Sequence, residues 1–353
     1  MNIYKLLAIA KRIRSPRLKL LGLWWFHTTG RRYLGIFIDP VLSCNLRCQM
    51  CYFSDPERRK ELHGTFTEAQ LEQLANALFH RALKLQIGCG AEPTLYRALP
   101  ALIRLGRAHR VPFISVTTNG QLLDEQRLEE LIETGLDELT LSLHGTTQAT
   151  YERLMQGASF ERFQALLQAL RAVGQRHPQF RVRVNYTMNA DNKEEAALLP
   201  QLFEGVPVSV VQLRPIQCIG NTAYQDFSVA PLIEDYDRLF PPLVQALRQQ
   251  GIQCLYPTKE NLLALSPVPH PNQQGEESGK SRRASMELAL QDFSYCNLTP
   301  TLQWQEDFDA TRETFESYCR RHHRGRQILA QALGLQAKAS QSFLTKQLNY
   351  TIK

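Results

Sequence analysis

Three cysteines, Cys44, Cys48 and Cys51, stand within eight residues in the stretch VLSCNLRCQMCYFSD, directly after the β-like run YLGIFID. The chain has eight cysteines in 353 residues, so this crowding needs a chemical reason. Three thiolates at the spacing C-x3-C-x2-C let one short loop hold three corners of an iron–sulfur cluster. A fourth ligand would close such a site, whereas three leave one iron open to a substrate or cofactor. Zinc is the competing metal. Structural zinc sites, however, use paired C-x2-C units and four ligands, and the nearest candidate fourth ligand, His63, lies twelve residues beyond Cys51. Buried structural cysteines are the third reading, which poorly explains the interleaved Asn45, Arg47 and Gln49.

A loop of this kind needs a scaffold, and the rest of the chain supplies a repeating one. Strands are expected at 33–39, 83–89, 112–118, 138–144, 181–188 and 209–216, with amphipathic helical segments between them. TEAQLEQLANALFHRAL opens with Thr67 and carries Gln70 three residues on, a capping box. Six βα units in succession imply a parallel sheet with right-handed crossovers. In such folds ligands gather at the carboxyl ends of the strands. The strand ends here read GCGAEP, TTNG, SLHG, NYTMN and, for the sixth, Arg214 and Gln217. Small, polar and thiol side chains recur at this rim, while the strand interiors are Ile, Val and Leu.

With these ends in place the sequence resembles the radical S-adenosylmethionine (radical SAM) superfamily. CNLRCQMC matches its cysteine signature; GAEP (Gly90 to Pro93), TTNG and SLHGTTQATYERL follow in the family's order over roughly residues 33–217. The resemblance implies an α/β fold, a partial (β/α)6 TIM-type barrel, and a [4Fe-4S] cluster on Cys44, Cys48 and Cys51. Its open iron would chelate S-adenosylmethionine. One-electron cleavage would then give a 5′-deoxyadenosyl radical that takes hydrogen from substrate. By position, Gly90 and Glu92 would border the methionine amino group, with Thr118 and Asn119 near the ribose. Ser142 and Arg153 would meet the methionine carboxylate, since an arginine fork suits a carboxylate.

Three positions depart from the family pattern. Ala91 stands where a second glycine is frequent, which is tolerable if its φ is negative. Met50 replaces a frequent aromatic, leaving adenine to thioether packing and backbone. His144 replaces a frequent Asp and is either a catalytic acid or base facing the substrate or a hydrogen-bonded structural histidine. Cys89 at the same rim reads as packing. Cys218, Cys254, Cys296 and Cys319 could close a second iron–sulfur cluster in a SPASM- or twitch-like C-terminal region, although their spacing lacks the dense pattern of those domains.

Three parts are expected: a basic amphipathic segment at 1–32, the barrel at 33–220, and an α-rich C-terminal region at 221–353. The net charge of +7 belongs to the first of these, which holds eight Lys or Arg and no acid; the remainder has 33 basic and 34 acidic residues. That segment, with Trp24, Trp25 and Phe26 at its end, either docks on the body with a solvated basic face or lies on an anionic membrane surface through residues 1–26. The near-neutral body argues against nucleic acid. The run at 265–288 reads as a mobile loop shaping the pocket, and 311–350 as helical, with CRRHHRGR at 319–326 on a solvated face. No apolar run is long enough to span a bilayer and no signal peptide is evident, so a cytoplasmic protein is expected, one served by an electron donor such as flavodoxin or ferredoxin. The substrate is open among peptide, small molecule and membrane-associated compound. The alternatives are a non-catalytic zinc or iron–sulfur protein and a nucleic-acid-modifying radical SAM enzyme.

Overall fold

The structure, a computed structural model, describes residues 12–218, 220–265, 277–305 and 307–335, with the backbone alone for 277–284. Its centre is one sheet of nine strands: β1 Leu34–Ile38, β2 Ala82–Ile87, β3 Ile114–Thr118, β4 Glu138–Leu143, β5 Arg181–Met188, β6 Val208–Pro215, β7 Gln253–Leu255, β8 Tyr295–Thr299 and β9 Leu302–Gln303. The order is β7-β6-β5-β4-β3-β2-β1-β8-β9, parallel throughout except for the antiparallel β8–β9 pair. The six expected strands appear in sequence order, as a partial TIM-type barrel requires. Two parallel strands from beyond residue 220 extend it, and β8 lies beside β1.

The described helices of seven or more residues are α1 Pro16–Thr28, α2 Glu68–Leu78, α3 Leu99–Ala108, α4 Glu125–Glu133, α5 Gln148–Leu154, α6 Phe160–Arg176, α7 Tyr236–Gln249, α8 Glu277–Ser294, α9 Phe315–Arg321 and α10 Arg324–Leu333. Their starts are written locally. Thr67 and Gln70 form the expected capping box of α2, while Asp124, Thr147 and Ser159 accept from the first turns of α4, α5 and α6. In α6, Phe160, Phe163, Leu166, Leu167, Leu170 and Val173 recur every three or four residues and are all buried against the body. Each such side chain contributes about 1.5–3 kcal/mol by leaving water.

The two ends of the sheet differ. At the amino end, Trp304 stacks on Phe315 with centroids 5.1 Å apart and meets Tyr318 at 4.7 Å, and Arg81 reaches Glu316 at 3.4 Å. Helices α1, α9 and α10 thus cover that end, and α1 buries Leu20 and Leu23 while exposing Leu18 and Trp25. The helical pattern read around Ile3 to Ala10 lies outside the described residues. Among the described residues the carboxyl end holds a cavity lined by the strand tips. Of the run expected as a mobile loop at 265–288, residues 277–288 belong to helix α8, which buries Met286, Ala289 and Phe293; residues 266–276 lie outside the described ones, as does 336–350 of the expected helical tail.

Candidate active site

The cysteine loop is laced by its own backbone to the turn after β2, to the end of α5 and to the segment after β6. Glu92 N–H donates to Ser43 O at 2.9 Å, Arg47 N–H to Gln156 O at 2.8 Å, Gln49 N–H to Leu154 O at 2.9 Å, and Tyr224 N–H to Gln49 O at 3.0 Å. The Asn119 amide donates to Asn45 Oδ1 at 2.9 Å and lies 4.0 Å from Cys44 Sγ. Arg47 turns its guanidinium onto the carbonyls of Cys44 and Leu46, at 2.7 and 2.6 Å. Cys44, Cys48 and Cys51 thereby face one cavity of about 220 Å³, together with Met50, Gly90, Glu92, Thr118, Asn119, Ser142 and His144. Burial pushes the Cys44 thiol up to about 11, and Cys48 and Cys51 upward as well, so metal must displace their protons. Among the described residues no three His, Cys, Asp or Glu side chains close on a single ion. A structural zinc site takes four ligands, whereas the cysteine loop brings three thiols to this cavity, the number that suits a cluster with one open iron.

The GCGAEP loop is built around two buried carboxylates. Asp39, the residue after β1, accepts from the backbone N–H of Cys89, Gly90 and Ala91 at 2.7, 3.1 and 3.3 Å. Burial raises its carboxyl, and these three N–H groups oppose the rise. Glu92 accepts from Thr118 Oγ1 at 2.7 Å, Asn119 N–H at 2.8 Å and Thr94 Oγ1 at 2.6 Å. Glycine is obligatory at Gly88: its φ is +83°, and a Cβ would stand 2.4 Å from Thr117 O. Ala91 is absent from the positive-φ residues, so the missing glycine is tolerated as expected. The Tyr52 hydroxyl donates to Gly90 O and ties this loop to the cysteine loop.

Met50 lines the cavity with its sulfur accepting from the Asn189 amide at 3.0 Å. His144 lines it too. Its Nδ1 is buried without a hydrogen-bond partner, and burial, with Arg214 nearby, lowers its pKa to about 4, so it is neutral at pH 7. Arg153 is elsewhere: half-exposed, it pairs with Asp191 at 2.9 Å and is not among the cavity-lining residues. The second-cluster cysteines are not one ligand set. Cys319 sits near Tyr33 and Arg81 at the amino end of the sheet, and Cys218 is exposed after β6 at the carboxyl end. Cys254 is on β7 and Cys296 on β8, separated in strand order by all of β1–β6. Sequence reasoning missed Asp39, Gly88 and Asn189. The acid that ends YLGIFID and the glycine that opens GCGAEP were the available signals for the first two, and nothing local marked Asn189.

Residues 38–198 match the family model described as the Radical SAM superfamily. Over that stretch, somewhat under half of its length, the chain carries a radical SAM domain. Among curated proteins it is 26% identical over 210 residues to a probable GTP 3′,8-cyclase of Saccharolobus solfataricus, covering 59% of this chain and 65% of that one. It is 30% identical over 190 residues to GTP 3′,8-cyclase of Chlorobaculum tepidum, covering 53% and 55%. The matched part thus spans between about half and two thirds of these relatives. The crystal structure of Streptococcus suis SuiB bound to S-adenosylmethionine shares the fold with a TM-score of 0.55 at 16% identity, over 78% of this chain and 60% of that one. Superfamily members use a [4Fe-4S] cluster and S-adenosylmethionine, and the thiol set fits the cluster.

Proposed function

We propose that this radical SAM enzyme cleaves S-adenosylmethionine reductively and takes hydrogen from a substrate seated in the same cavity. The observation that carries this reading is the meeting of Cys44, Cys48 and Cys51 with Glu92, Asn119 and Ser142 around one cavity. When bound, the cluster and S-adenosylmethionine supply methionine and a 5′-deoxyadenosyl radical from one added electron.

The chain's own residues bind, orient and exclude water. Cys44, Cys48 and Cys51 would hold the cluster, with Arg47 and Asn45 fixing the loop that presents them. Asp39 and Glu92 set the Cys89–Glu92 backbone, whose carbonyls and N–H groups suit an amino and a carboxylate group. Thr118 and Asn119 offer hydrogen bonds to a ribose, and Met50 a polarisable face to adenine. Arg153, engaged by Asp191, leaves the carboxylate role to Ser142 and its neighbours. Neutral His144 offers an acceptor or donor without charge.

A one-electron donor such as flavodoxin or ferredoxin completes the reaction. The relatives are named for a reaction of GTP, which supports a small-molecule substrate over a peptide. No described helix is long and apolar enough to cross a membrane, in keeping with a cytoplasmic enzyme. The test is anaerobic incubation of reconstituted protein with dithionite and S-adenosylmethionine. Formation of 5′-deoxyadenosine supports the reading, and a colourless zinc protein that forms none refutes it.

A further inference from the structure

Helix α1 is apolar on two sides. Leu20 and Leu23 are buried against the body. Leu18, Leu21 and Trp25, spaced three and four residues apart, form a stripe on the opposite side. They are exposed, Leu18 by 58% and Trp25 by 45%, whereas a helix that only docks on its own body carries polar residues outward. Helix α10 extends the stripe. It begins beside the last turn of α1, where a Cβ on Gly325 would lie 3.2 Å from the His27 ring, and packs along α1. Its far end leaves Leu333 and Leu335 exposed by 56% and 76%. With Ile13, these make six of the ten large apolar side chains exposed among the described residues. The exposure is concentrated on one face, and such a patch marks an interaction site.

The same face is cationic. Neither α1 nor α10 contains an Asp or Glu. Arg17 and Lys19, one residue either side of Leu18, flank the stripe, and Arg12, Arg14 and Arg326 are exposed around it. Arg31 sets its guanidinium 4.6 Å from the centroid of the Trp25 ring. The acids of the neighbouring helices do not cancel this charge. Glu316 of α9 is engaged by His80 and Arg81, and Glu287 and Asp292 of α8 are half-buried and engaged. The two uses read from the sequence are therefore compatible: α1 docks on the body and still turns an apolar, basic face outward.

We propose that α1 and the end of α10 form a docking surface for a membrane of anionic lipid. Leu18, Leu21, Trp25, Leu333 and Leu335 would enter the boundary between headgroups and acyl chains, and the arginines would meet lipid phosphates. An acidic protein would satisfy the charge but needs a complementary shape as well; a fluid bilayer accepts leucines and a tryptophan on convex helices without one. Arg81 donates to His27 O at 3.1 Å and ties the last turn of α1 to the amino end of the sheet, away from the cavity. The surface thus decides where the enzyme sits, not what it reacts with, and it does not depend on the radical SAM reading.

Co-sedimentation of the full-length protein with vesicles tests this, comparing phosphatidylcholine alone with an equal mixture of phosphatidylcholine and phosphatidylglycerol. Partitioning onto the anionic vesicles should be stronger by roughly tenfold or more, and the difference should shrink as salt is raised. A Leu18→Ser, Leu21→Ser, Trp25→Ser variant, altered only at exposed positions, should lose roughly tenfold or more of that partitioning. In the wild type, tryptophan emission should move to the blue on the anionic vesicles, a reading that needs no variant to fold. Trp25→Phe should remove most of that shift, since Trp304 is buried and Trp24 half-buried. Absence of binding to the anionic vesicles would overturn the proposal, and sedimentation velocity showing a dimer would then give the face to a second copy. Equal binding to both vesicles, or by the triple variant, would overturn it too, the latter by placing lipid contact elsewhere in the chain.

Discussion

The carboxylate of Glu92 accepts the Thr118 hydroxyl at 2.7 Å and the Asn119 N–H at 2.8 Å, so one buried side chain joins the tip of β2 to the tip of β3. Glu92→Ala strands both donors in a site where Glu92 itself is 2% exposed. The expected cost is about 1–3 kcal/mol per stranded donor, read by urea denaturation, together with weaker S-adenosylmethionine binding. Unchanged stability and affinity would remove Glu92 from this role.

Gly88 and Gly251 share a positive φ, +83° and +78°, but only Gly88 is hemmed in by Thr117 O and Pro93. Alanine at Gly251 should cost about 1–2 kcal/mol, the strain of that backbone region alone. Alanine at Gly88 should cost at least about 2 kcal/mol more, because the crowded atoms are backbone and ring. Equal losses in denaturant melts would contradict a close-packed glycine loop.

Arg153→Ala removes an exposed ion pair with Asp191, which is worth about 1 kcal/mol or less. Calorimetry should find S-adenosylmethionine affinity unchanged. A large loss would return Arg153 to the carboxylate-binding role that its place in the sequence suggested.

His144 supplies a pH dependence. Its folded pKa of about 4 lies below the unfolded value of about 6.5, so between them the unfolded chain binds more protons. Stability therefore rises with pH across that window and is lost as pH falls from 6.5 towards 4. The shift corresponds to at most about 3 kcal/mol. His144→Gln should flatten this part of the stability–pH curve relative to wild type; identical slopes would show that His144 is not buried neutral.

The six barrel strands and the cysteine loop were legible because each is a local pattern: alternating β-branched runs, and three thiols at fixed spacing. Long-range geometry was not. SYCNLTP, whose Cys296 was read as a candidate ligand of a second cluster, contains strand β8, paired with β1 some 260 residues away in sequence, a pairing no local pattern announces. Arg153 was misplaced because α5 is only seven residues long, too short for its periodicity to say which side chains face the cavity. Arg214 and Gln217 were correctly read at the rim.

Iron and sulfide per chain, measured on anaerobically reconstituted wild type and on a Cys44→Ala, Cys48→Ala, Cys51→Ala variant, test the central claim most directly. The account predicts about four irons in the wild type and none in a folded variant, since the other cysteines do not gather. Iron retained by that variant, or zinc in its place in the wild type, would contradict it.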